Sequence, residues 1–164
     1  RERSVFKMFT LENAAQFAAE NRWLLCRLTF GIYLIILSVM DIKRRKLKLT
    51  VLLSGVLFIP AGVLCRTEIP AAFLLAGGAV GTVFLAVSKV TEEAFGYGDS
   101  VLILIMGGFL GFWDILALLT GAFILAAAFS LVLLIRSRFQ RKDTFPFVPF
   151  LTAAYLGGMA FGIY

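Results

Sequence analysis

The residues of this chain best suited to chemistry are two aspartates. Asp41 follows the apolar run Trp23 to Met40 and stands just ahead of the basic stretch Lys43-Arg44-Arg45-Lys46. Asp99 ends the tetrapeptide Gly96-Tyr97-Gly98-Asp99 and opens another apolar run. An ionisable residue inside or beside a membrane-length apolar segment is energetically expensive and calls for a reason. Two aspartates brought within a few ångströms cannot both ionise easily, so the pKa of one rises. The charged partner can then take a proton from water while the neutral one donates to a carbonyl oxygen. That is aspartic-protease chemistry, and it requires no histidine, metal or cofactor. Taken singly, each acid has an ordinary explanation. Asp99 suits a helix N-cap, and Asp41 could serve as counter-ion to the basic stretch. Glycines at 96 and 98 free the backbone for an unusual turn ahead of the helix and for close approach of a substrate strand.

Composition narrows the field. The chain has 164 residues, 60% of them hydrophobic, and no histidine, so His-based metal sites, Ser-His-Asp triads and Cys-His dyads are excluded. Cys26 and Cys65 form no CxxC pair and read as separate small apolar residues. A mean hydropathy of +0.93, with charge gathered in short clusters between apolar runs, describes a chain whose solvent is mostly lipid. The net charge of +6 is assigned to loops facing an anionic membrane surface rather than to nucleic acid.

The elements that must position the two acids are membrane helices. A span needs about 20 apolar residues. Six candidates follow: Trp23–Met40, Leu49–Leu64, Ile69–Val87, Val101–Trp113, Ile115–Ile135 and Phe145–Tyr164. The expected fold is an all-α integral membrane protein of about six transmembrane helices. Residues 1–22 are expected as an interfacial amphipathic segment and residues 23–164 as one membrane domain. The first, third and fifth loops share one side. They hold ten basic residues (Lys43, Arg44, Arg45, Lys46, Lys48, Lys89, Arg136, Arg138, Arg141 and Lys142) against Arg66 in the second and fourth. The odd loops are therefore cytoplasmic and both termini outside. Five basic residues at or before the start of the first span (Arg1, Arg3, Lys7, Arg22, Arg27) pull the other way and are outweighed. Asp41 and Asp99 both fall at the cytoplasmic face. Glycines spaced by three and four in the third, fourth and sixth spans are read as helix-packing positions.

Three segments in order carry a resemblance: Asp41 followed by Ile42-Lys43-Arg44-Arg45-Lys46-Leu47, then Gly96-Tyr97-Gly98-Asp99, then Phe145-Pro146-Phe147-Val148-Pro149-Phe150-Leu151. Together they resemble the type IV prepilin peptidases, which include the archaeal preflagellin peptidases, over most of the chain. The resemblance implies an intramembrane aspartyl endopeptidase of the prokaryotic plasma (inner) membrane with Asp41 and Asp99 as catalytic pair and no cofactor. Its substrates would be pilin-like precursors, cut behind a short basic leader at the cytoplasmic membrane boundary; no nucleic acid or oligomer is required. Gly96, Tyr97 and Gly98 would shape the loop against the substrate, with Pro146, Phe147 and Pro149 entering the last helix beside the site. Glu92 and Glu93, just ahead of the glycine loop, would attract the leader's Lys and Arg side chains. The chain departs from the family pattern at Lys48, Leu49, Val101 and Val148, and it lacks the paired CxxC loop of many bacterial members, so methylation is not expected.

Other readings stay open. Presenilin and signal peptide peptidases share the GxGD motif, but here Met40 precedes Asp41 and Phe150 follows Pro149, against their Tyr-Asp and Pro-Ala-Leu. A catalytically inactive relative is one alternative. The other is a small transport or scaffold protein that uses the two acids for ion or proton passage.

Overall fold

The computed structural model describes residues 21–44, 49–66, 69–91, 96–136 and 146–163. These form seven helices and no strand: α1 Arg22–Arg44, α2 Leu49–Ser54, α3 Phe58–Cys65, α4 Ala71–Val90, α5 Tyr97–Leu110, α6 Phe112–Arg136 and α7 Val148–Ala160. Three of them, α1, α4 and α6, are long and apolar enough to cross a membrane. Leu49–Cys65, Tyr97–Leu110 and Val148–Ala160 are shorter apolar helical stretches. The interfacial segment expected over residues 1–22 lies outside the described residues up to residue 20, as do Glu92, Glu93 and Phe145.

Boundaries differ from the sequence expectation in physically specific ways. The second span is broken: a 3₁₀ turn at Gly55–Leu57 separates α2 from α3. The Tyr33 hydroxyl donates to the carbonyls of Val51 (3.2 Å) and Leu52 (3.1 Å) beside that turn, meeting backbone acceptors in an apolar setting. The fourth span starts at Tyr97 rather than Val101 and stops at Leu110 rather than Trp113. Gly111 ends it with φ +94, a conformation that favours glycine, and α6 begins at the next residue.

Three antiparallel pairings set the register. Between α4 and α5, a Cβ on Gly77 would strike the Gly107 carbonyl and one on Gly81 the Leu104 backbone, while Ser100 donates to the Phe84 carbonyl at 3.2 Å. These glycines are where the two backbones touch. Between α1 and α7, Thr152 donates to the Leu34 carbonyl at 3.3 Å and Tyr155 to the Arg27 carbonyl at 3.0 Å. Between α1 and α5, the rings of Phe30 and Phe109 lie 4.5 Å apart. The buried core fills the space among these helices with Phe30, Leu34 and Leu37 of α1, Leu102, Ile103, Ile105 and Met106 of α5, and Leu151 and Tyr155 of α7.

Not every small residue follows the packing expectation. Gly78 and Gly157 face open space. Cys26 and Cys65, read as independent apolar side chains, are joined as a disulfide because the start of α1 packs beside the end of α3.

Candidate active site

Helix geometry brings the two aspartates to one level. From the Phe30–Phe109 contact, Asp41 lies eleven residues on along α1 and Asp99 ten residues back along α5. At 1.5 Å per residue both rise about 15–17 Å in the same direction. The two acids therefore lie at the same end of the bundle, away from Trp23 and Leu110, close enough for their charges to interact.

Asp41 is buried, at 7% exposure, in the last turn of α1. The backbone N–H of Val148 hydrogen-bonds to its carboxyl. Among the described residues no group hydrogen-bonds its buried Oδ2. Val148, itself fully buried, opens α7 with Pro149 in its first turn. Proline fits there because the first-turn N–H groups have no intrahelical acceptor to lose. Phe147 precedes it and packs on Phe123 of α6, with ring centroids 5.4 Å apart. The Pro146–Phe150 segment thus reaches Asp41 through its backbone, and the Val148 N–H is the contact.

Asp99 is in the first turn of α5, ahead of the apolar run Val101–Leu110, and the N-cap position belongs to Gly96. The N-cap explanation for Asp99 therefore does not hold. Nor do Gly96 and Gly98 form an unusual turn: Gly96 has φ −54 and Gly98 lies within the helix. What Gly96 supplies is room, since a Cβ there would stand 3.1 Å from Asp99 Oδ2. Tyr97, two residues ahead of Asp99, is 54% exposed. Asp41 lies close enough for its charge to act on the Asp99 carboxyl. Ser100, absent from the sequence reading, pins this turn to α4 through Phe84. Its position directly after the motif was the available signal.

Among the described residues no three His, Cys, Asp or Glu side chains gather. The arrangement is a pair of neighbouring carboxyls, one hydrogen-bonded by a helix-terminal amide and the other in the first turn of α5. Such a pair can divide the acid and base roles of hydrolysis.

A family model, the type IV leader peptidase family, matches residues 28–131. The chain belongs to the type IV leader peptidase family. The match contains both aspartates and the Gly96–Asp99 motif, and ends before Pro146. No curated protein and no solved structure matches the chain. As a leader peptidase relative built from several long apolar helices, this is a multi-pass membrane protein.

Proposed function

We propose that this leader peptidase relative is an intramembrane aspartyl endopeptidase in which Asp41 and Asp99 are the catalytic pair. The observation that carries the reading is the meeting of the two acids, from helices far apart in sequence, at one end of the bundle. In this reading Asp41, which accepts the Val148 N–H, is the charged partner, and Asp99 beside it is the neutral one. Water attacks the scissile carbonyl carbon as Asp41 accepts its proton and Asp99 gives its own to the carbonyl oxygen. Collapse of the tetrahedral diol breaks the C–N bond. The departing amine takes the proton from Asp41, and a diol hydroxyl returns one to Asp99, so the pair ends as it began.

The substrates are type IV pilin-like precursors, cut behind a short basic leader at the cytoplasmic boundary of the plasma membrane. Gly96, Tyr97 and Gly98 border the scissile segment on one side, and Pro146, Phe147 and Pro149 on the other. Glu92 and Glu93 precede the motif and supply charge complementary to the leader's basic residues. The test is co-expression with candidate pilin precursors, scored by leader removal on gels. The wild type is expected to shorten a precursor that Asp41→Asn and Asp99→Asn leave intact. Cleavage persisting in both variants overturns the assignment.

A further inference from the structure

At the end of the bundle opposite the aspartates, one cation gathers four helix ends. The backbone N–H of Arg66 closes α3 by bonding the Gly62 carbonyl at 3.0 Å. Its guanidinium Nη1 donates to the Leu110 carbonyl at the end of α5 and to Asp114 Oδ2 in the first turn of α6, each at 2.6 Å. The same guanidinium stacks 4.8 Å over the ring of Trp23, which opens α1. Both charged side chains are less than one-fifth exposed. The Leu110 carbonyl is one of the last four of its helix and has no intrahelical donor. A cation there also complements the negative end of the helix dipole, and Asp114 complements the positive end of α6.

The need for such a fixture follows from the length of α5. Its fourteen residues rise about 21 Å, against a hydrocarbon core of about 30 Å. Hydrophobic matching fixes the depth of α1, α4 and α6 but sets that of α5 only loosely. Specific contacts do it instead. The glycine contacts and the Ser100 bond to Phe84 tie α5 to α4. Toward α1, Phe30 and Trp23 touch Phe109 without directional bonds; the guanidinium bonds are directional. Asp99 lies eleven residues from Leu110 on the same rigid helix, so an axial slip at one end reaches the other undiminished.

We infer that Arg66 and Asp114 are a positioning pair, a clasp that holds α5 in register with α1 and thereby sets Asp99 opposite Asp41. The kinetic consequence rests on the peptidase reading; the geometric one does not. The test therefore has two arms. Spin labels on Asp41→Cys and Asp99→Cys, with Cys26 and Cys65 left paired, report the separation directly. Adding Arg66→Ala is expected to broaden and lengthen that distance distribution, and Arg66→Lys to preserve most of it. In the otherwise native enzyme, Arg66→Ala is expected to lower kcat roughly 10²-fold with KM little changed, since a misplacement on the order of 1 Å has that effect. Arg66→Lys is expected to recover most of the rate. The double variant Arg66→Leu, Asp114→Leu removes both charges and leaves neither stranded. A clasp predicts that its kcat stays low; mere neutralisation of Asp114 predicts recovery. Unchanged label distances in Arg66→Ala, or full recovery in the double variant, overturns the inference. A wild type that cleaves no precursor rejects the peptidase reading alone, and the label distances still decide the clasp.

Discussion

Removing either carboxylate tests a single proton-transfer role. Asp41→Asn and Asp99→Asn are each expected to lower leader cleavage by roughly 10²- to 10⁴-fold while helicity in detergent, read by circular dichroism, stays at the wild-type level. Gly96→Ala addresses position rather than charge. Its Cβ would press on Asp99 Oδ2 from 3.1 Å, so the carboxyl must shift by a few tenths of an ångström. A fall in kcat of about tenfold with an unchanged thermal midpoint is expected. At this scale the two acids were legible in the sequence, because a charged residue beside an apolar run stands out. Their supports were not: the Val148 amide, the Ser100 hydroxyl and the room at Gly96 become visible only when distant helices meet.

Among the elements, α4 and α5 share the closest backbone approach. Gly81→Ala would drive a methyl into the Leu104 backbone and is expected to destabilise by about 1–3 kcal/mol. Gly78→Ala points instead into an open groove of about 510 Å³ and is expected to change stability by less than about 0.5 kcal/mol. Thermal unfolding of the two variants in the same detergent separates them. Equal midpoints contradict the packing register described for Gly77, Gly81 and Gly107. Six apolar segments could be counted from the sequence because lipid demands long apolar runs. The break in the second segment and the early stop of α5 could not be fixed that way. Gly55 and Gly111 were both visible, yet only the Tyr33 hydroxyl beside one and the φ of +94 at the other show which glycines interrupt a helix.

For the molecule as a whole, both acids belong to one end and the Arg66–Asp114 pair to the other. Thiol labelling of Lys43→Cys and Tyr97→Cys is expected from one face of the membrane, and of Trp113→Cys from the opposite face. Tyr97 and Trp113 are 54% and 69% exposed, so the introduced thiols are open to reagent. Labelling of the first two from different faces contradicts the shared site. The excess of basic residues in the odd loops is the ground for expecting the acid-bearing face on the cytoplasmic side. The far-end clasp left one trace in the sequence: Arg66 was the lone base of the even loops. Its partners Leu110, Asp114 and Trp23 lie in other elements, so nothing local announced them. The cysteines were misjudged for the same reason, since their 39-residue separation hides that the start of α1 lies beside the end of α3.

The most direct measurement is leader release by the purified protein in liposomes, with a basic-leader precursor as substrate and products weighed by mass spectrometry. The wild type should yield a single cut behind the leader, and Asp41→Asn and Asp99→Asn, equally folded, should yield none above background. Release at the wild-type rate by either variant would contradict catalysis by the aspartate pair.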